Sequence, residues 1–410
     1  MPDRPHPHRW SIAILLGVGV LVNYFDRVNL SIAHDQITRE FGLTTVGFGY
    51  LLSAYSFTYA LCQIPAGAIL DRFGVRLVGR VSTVLWSIAS FASAFSNGAR
   101  QFFATRLLLG VGEAPTFPGN AKAVSKWFPE NERGLATACF DCAAKFSSAI
   151  GVPIMGLLLV RVGWRGTFLA TGIASFAYFL LFTMVYRDPE EEAPTVLESP
   201  VLETGILDLL GDKKVAGLAI GSAAYNYCFY LLLAWLPAYL STSMHLNLLQ
   251  SAWYTSIPWV VATATDLLVG GWLVDALIRR GFDASRVRQS ILIGGTSLGV
   301  AIFAAGSATT PGQAIFWISV SIGGLAAAAP VGWSVPGLIA PPGSVGRVGG
   351  IMNFASQLAA ISAPIVTGYV VAYTHSFEAA FWLAAIFLTI GIAAYALLLG
   401  RIERVESQNL

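Results

Sequence analysis

Twelve apolar windows of about 19 residues, the length that crosses a hydrocarbon layer as a helix, recur along the 410-residue chain. They centre near Val20, Thr58, Trp86, Gly110, Ser147, Ala174, Tyr227, Val261, Gly294, Gly324, Ala359 and Leu388. In lipid every backbone N–H and C=O must be paired within its own segment or a closed barrel, so windows of this length read as α-helices. The expected fold class is all-α integral membrane with twelve transmembrane helices. Composition agrees, since 12% of residues are charged where a soluble domain carries about 25%. The formal net charge of +2 cannot neutralise a phosphate backbone, so no nucleic-acid partner is expected. The first window holds Asp26 and Arg27 without an A-x-A cleavage site, and reads as a retained span.

Orientation follows from the basic residues left outside the spans. With both termini cytoplasmic, 18 Lys and Arg fall inside, against only Arg39, Arg100, Arg161 and Arg165 outside. The longest polar stretch, RDPEEEAPTVLESP continued by VLETGILDLLGDKK, reads as a cytoplasmic linker over 188–212 between six-helix bundles at 1–187 and 213–410. An internal repeat supports the division: GAILDRFGVR is answered by GWLVDALIRRG, which sets Asp275 against Asp71. Arg133 to Phe140 (RGLATACF) is likewise answered by Arg347 to Phe354 (RVGGIMNF), at an offset of 214.

Seven ionisable residues lie inside the spans: Asp26, Arg27, Arg106, Glu113, Asp141, Lys145 and Asp266. Each costs about 2.5–3.5 kcal/mol at the bilayer centre on the lenient insertion scale, so they must face a cavity or one another. Arg106 and Glu113 are seven apart on one helix face, and Pro115 and Pro118 interrupt the helix just beyond. This pair is either proton chemistry or a fixed structural ion pair. Arg27 points about 100° away from Asp26 around the helix, and its planar fork suits a carboxylate. Asp141 and Lys145, four apart, admit three readings: an intrahelical ion pair, a second carboxylate anchor at Lys145, or a gate between Lys145 and Asp266. The cysteines sit in apolar runs, and the lone C-x-x-C of Cys139 and Cys142 has no second pair or His cluster, so no metal or cofactor is expected. No P-loop occurs, which argues against ATP-driven transport.

Gly67, Asp71, Arg72, Gly74, Arg76 and Arg80 together resemble the G-x-x-x-D-R-x-G-R loop signature of the major facilitator superfamily, and the 6+6 layout is similar to that family over nearly the whole chain. More narrowly, NYFDRVNLSIA (Asn23 to Ala33), Tyr59 with Gln63, and TRLLLGVGEAPTFPGN (Thr105 to Asn120) with WFPENERG resemble the anion:cation symporters. The likeness is to the bacterial branch that takes up sugar acids such as galactonate, glucarate and hexuronates with protons. The resemblance implies a major facilitator fold and a monomeric carrier in the bacterial inner (plasma) membrane. It implies proton coupling by Asp26 and Glu113 with Arg106, and substrate contacts from Arg27, Tyr24, Tyr59, Trp333 and Asn353. It also implies conformational roles for Asp71, Arg72 and Arg76. The fifth span departs from the pattern, because Phe140-Asp141-Cys142-Ala143-Ala144 stands where relatives read FNAGQ, with Lys145 next.

The expectation is a non-enzymatic, proton-coupled importer of a small organic anion, most simply a sugar acid. The alternatives are a same-fold exporter of organic anions or drugs, or uptake of dicarboxylates or aromatic acids. A drug antiporter fits the loop signature but not two cavity arginines, which select anions. A non-transporting receptor would need no titratable pair.

Overall fold

The computed structural model describes residues 8–128, 133–188, 206–341 and 344–404, and these are helical nearly throughout. The first half comprises α1 (Arg9–Ile32), α2 (His34–Phe41), α3 (Thr45–Ala94), α4 (Ala99–Glu113), α5 (Thr116–Trp127) and α6 (Arg133–Val185). The second comprises α7 (Ile206–Gly211), α8 (Lys213–Thr242), α9 (Leu248–Thr265), a π-helical segment Asp266–Leu273, α10 (Val274–Arg279), α11 (Ala284–Gly299) and α12 (Ile302–Gly306). It continues through α13 (Pro311–Ile339), α14 (Val345–Thr374), α15 (Glu378–Ala393) and a second π segment, Ala394–Leu399. Packing divides the chain into two compact units, Met1–Pro194 with Leu246–Ser256, and Thr195–His245 with Ile257–Leu410.

Nine helical segments among the described residues are long and apolar enough to cross a membrane. The twelve windows map unevenly onto these helices. Both α3 and α6 continue through a sharp bend at a glycine with positive φ, Gly74 (75°) and Gly163 (69°), a conformation that L side chains resist. Each of these long helices therefore contains two of the windows. The fourth window is divided instead, because α4 ends at Glu113 and α5 begins at Thr116 beyond Pro115, and neither piece is long enough alone. Gly74 belongs to the loop signature, so its role there is to make the bend.

An apolar core is buried, yet large apolar side chains also stand outside and ionisable ones inside. Leu61, Met184 and Leu397 are exposed, as lipid-facing side chains should be, whereas Asn23, Asp26, Arg106 and Glu113 are buried. Hydroxyls tie α3 to α4: Thr58 donates to the Leu107 carbonyl at 2.6 Å, and Ser82 donates to the Gly112 carbonyl. Close approach is possible because α4 presents glycine. A Cβ on Gly110 would lie 2.2 Å from the Tyr55 carbonyl oxygen. In the second unit the glycine 214 residues later, Gly324, makes the same kind of contact, with a Cβ there falling 2.6 Å from the Gly295 carbonyl oxygen. Small residues at such crossings let helix backbones meet in lipid.

The bend at Gly163 is braced by α2. Gln36 accepts from the Trp164 backbone N–H at 3.0 Å, and Glu40 accepts from the Trp164 indole at 2.6 Å and from Arg165. These donors, the indole first, hold the Glu40 carboxyl below its ordinary value of 4.5.

Two outcomes are expected. Gly110→Ala should destabilise the purified protein by about 1–3 kcal/mol through overpacking, read as a lower thermal midpoint in detergent. Gly294→Ala, where a Cβ meets nothing within 4 Å, should leave that midpoint unchanged or raise it. Because Glu40 titrates lower in the folded chain, its contribution is present above the ordinary value and lost as pH falls through the depressed one. The midpoint of Glu40→Gln should accordingly fall less than that of the parent between pH 7 and pH 3.5.

Candidate functional site

Neighbouring residues on α1 send their charges in different directions. Asp26 turns into the helix bundle, where Ser90 Oγ of α3 donates to Oδ1 at 2.7 Å and Ser175 Oγ of α6 donates to Oδ2 at 3.0 Å. Arg27 turns toward α4, and its Nε donates to Glu113 Oε2 at 3.2 Å while Nη2 lies 3.1 Å from the same oxygen. The two side chains are 5% and 0% exposed. Glu113 Oε1 is buried without a hydrogen-bond partner among the described residues. One carboxylate oxygen thus carries the whole ion pair, and the other is open to a proton.

The guanidinium of Arg27 is held by aromatic faces. Its Cζ lies 4.3 Å from the Tyr24 ring centroid, 4.5 Å from Tyr55 and 5.4 Å from Tyr59. Such contacts stabilise a desolvated cation and fix its plane. Tyr24 and Tyr59 were expected; Tyr55 was not. Its signal in the sequence is the i, i+4 spacing from Tyr59, which puts both rings on one face of α3.

Arg106 does not supply the counter-charge to Glu113. Its Nη1 donates to the Asp26 backbone carbonyl at 3.2 Å and its Nη2 to Ser93 Oγ at 2.9 Å. The Phe102 and Phe168 rings lie 5.4 and 5.0 Å from its Cζ. The fixed Arg106–Glu113 pair considered from spacing is therefore corrected. Seven residues separate the two by about 10 Å along the helix, too far for a direct bridge, and α1 brings a nearer cation. Glu113 is also the last residue of α4, so the break before Pro115 falls directly beside the carboxylate.

The other expected residues are dispersed. Lys145 Nζ lies 3.1 Å from Asp141 Oδ2, with side chains 6% and 28% exposed, so the intrahelical pair is present. Asp266 is buried and opens the π segment, an irregularity that recurs at functional positions. Trp333 lines a pocket in the second unit with Ser222, Asn226, Thr296 and Ser356. Asn353 is half-buried next to Met352, which lines the same pocket. Arg72, Arg76 and Asp275 are exposed, with the Arg72 guanidinium 5.2 Å from the Phe73 ring. The Asp71 side chain and segment 129–132 of WFPENERG lie outside the described residues, as does 189–205 of the linker.

The comparisons with known proteins agree with this architecture. A sequence model of the Major Facilitator Superfamily matches residues 16–364. An uncharacterized transporter of Bacillus subtilis is 38% identical, over 98% of this chain and 97% of that protein. A probable L-galactonate transporter of Escherichia coli is 31% identical over 94% and 88%, and a probable galactarate/D-glucarate transporter of the same species is 31% identical over 98% and 97%. Among solved structures, an inward-facing, unoccupied bacterial homologue of the human lysosomal transporter Spinster aligns with a TM-score of 0.80 at 17% identity, covering 97% and 98%. A D-xylose-proton symporter aligns at 0.75 and 17%, covering 95% and 97%. The chain belongs to the major facilitator superfamily, and is a multi-pass membrane transporter rather than an enzyme.

Proposed function

We propose that this protein imports a sugar acid together with protons by alternating access, through twelve spans with both termini in the cytoplasm. The bends at Gly74 and Gly163 and the break at Pro115 support twelve, since each accounts for windows that merge or split. On this reading residues 1–187 and 213–410 are the two six-helix halves and 188–212 the linker, in a monomer of the bacterial inner membrane. Relatives named as galactonate and galactarate/glucarate transporters support the substrate class, and the D-xylose-proton symporter supports proton coupling.

The observation that carries the reading is the buried Arg27–Glu113 pair. With the site empty, Arg27 and ionised Glu113 sum to zero charge. A substrate carboxylate can take the guanidinium only by displacing Glu113, which then needs a proton to avoid a net buried charge. Loaded with both carboxylate and proton, the site again sums to zero. The two half-loaded states carry a net charge of one sign or the other, and each uncompensated buried ion costs several kcal/mol. Passage between the inward and outward states is therefore restricted to the empty and doubly loaded forms, which is coupling. Asp26, one residue along and tied to Ser90 and Ser175, is the second carboxylate of the system. Arg106, bound to the Asp26 carbonyl, keeps this stretch of α1 in place.

Labelled D-galactonate and D-glucarate in proteoliposomes under an imposed pH gradient test the proposal. Glu113→Gln should abolish accumulation against a gradient while exchange of internal for external substrate remains measurable; full gradient-driven uptake would remove Glu113 from coupling. Arg27→Lys keeps the charge but loses the fork. Binding of the acid should weaken by about 1.5–3 kcal/mol, roughly ten- to hundredfold in Kd, and unchanged affinity by calorimetry would put the carboxylate elsewhere.

A further inference from the structure

Asn23 of α1 is a buried polar residue that the coupling scheme leaves unused. Its side chain is fully buried, and neither Nδ2 nor Oδ1 has a hydrogen-bond partner among the described residues. Lipid offers none either, and a buried amide left unsatisfied is costly enough to be rare. One turn of α1, about 6 Å along the axis, separates Asn23 from Arg27. Both face the same carboxyl group, Arg27 through its bonds to Glu113 Oε2 and Asn23 through its amide. Glu113 Oε1 is likewise buried without a hydrogen-bond partner among the described residues. Both ends of the amide and one carboxyl oxygen are thus left unsatisfied around Glu113.

The chemistry of an amide decides which form of Glu113 satisfies these atoms. A primary amide carries donors on nitrogen and an acceptor on oxygen, an ionised carboxylate only accepts, and a protonated carboxyl does both. Against ionised Glu113, Asn23 can use Nδ2 alone, and its Oδ1 meets a second electron-rich oxygen. Against protonated Glu113 two bonds close a ring: the Glu113 O–H donates to Asn23 Oδ1, and Asn23 Nδ2 donates to the other carboxyl oxygen. Arg27 has the reverse preference, since a guanidinium has donors alone. The other charged and titratable groups around the carboxyl are Asp26 of α1 and Arg106 of α4, with Tyr24, Tyr55 and Tyr59 about the Arg27 guanidinium. Asp26 is committed to Ser90 and Ser175, Arg106 has no acceptor, and the tyrosines turn their ring faces to Arg27. Asn23 is the neutral acceptor that remains.

We infer that Asn23 is a positioning residue that receives Glu113 in its protonated form once a substrate carboxylate has taken Arg27. The inference rests on the proton-coupled reading above, and it names the group that holds the proton-bearing side chain during the crossing. Glu113 takes one proton from water on the side to which the site is open, its ion pair with Arg27 breaks, and its new O–H donates to Asn23 Oδ1. On release the proton returns to water on the opposite side and the ion pair re-forms. The amide is unsatisfied when the site is empty and satisfied when it is doubly loaded, so it favours binding of proton and substrate together.

The test titrates the full-length protein in detergent by infrared difference spectroscopy, with no substrate present. The carbonyl stretch of protonated Glu113 is the band that Glu113→Gln removes. Asn23→Leu keeps about the same size without hydrogen-bonding atoms. In that variant the band should appear about one pH unit lower, a tenfold higher proton concentration, and at higher frequency, as a carbonyl released from a hydrogen bond absorbs. Asn23→Ala carries the same measurement should Asn23→Leu not fold. In proteoliposomes, half-maximal gradient-driven uptake of D-galactonate should move about tenfold toward acid, while the rate at saturating acidity is retained. In the Glu113→Gln background, where no proton is gained, Asn23→Leu should leave the pH profile of exchange where it is. The infrared shift in a protein that transports neither D-galactonate nor D-glucarate would sink the sugar-acid reading and leave the role of Asn23 standing. A Glu113 band that titrates at the same pH with and without the amide would overturn the assignment, as would an exchange profile that moves as far in the Glu113→Gln background.

Discussion

A charge in hydrocarbon has to be neutralised by its neighbours, and in the first unit this requirement organises everything around Arg27 and Glu113. Both side chains are almost wholly buried and meet through a single carboxylate oxygen. The remaining features serve that contact. Three tyrosine rings hold the guanidinium, and hydroxyls from α3 and α6 take up the carboxylate of the preceding residue. Arg106 braces the α1 backbone between Phe102 and Phe168. An ion pair so placed contributes little net stability, because desolvation offsets the attraction. On the function proposed above, its value is that either partner can be satisfied by something else, a substrate carboxylate for Arg27 and a proton for Glu113.

Irregular backbone accompanies the polar side chains. Glu113 ends α4 just before Pro115, and Asp266 opens a π segment. In a bilayer an interrupted helix is tolerated only where protein groups take over the freed hydrogen bonds, and the hydroxyl of Ser82 that reaches the Gly112 carbonyl at the end of α4 is of this kind. The bends at Gly74 and Gly163 are of another kind, each a single glycine of positive φ at which two helices meet. The described pocket of the second unit is lined by neutral side chains.

Much was legible in the sequence because it is local. Apolar windows gave the all-helical fold class, Asp141 and Lys145 form the pair that four-residue spacing predicts, and the helix breaks where Pro115 forbids its continuation. The residues inside the spans that bear charge were also plain, since hydrocarbon makes any charge conspicuous.

Partnership between helices was decided by tertiary structure alone. Spacing offered Arg106 to Glu113, and the fold gives it Arg27 from 86 residues away. Tyr55 joins the site for the same reason. The period of a helix fixes which side chains share a face, but the rotation and register of one helix against another depend on contacts such as Gly110 against the backbone of Tyr55. Those contacts are set by shape at the crossing point, which hydropathy does not record.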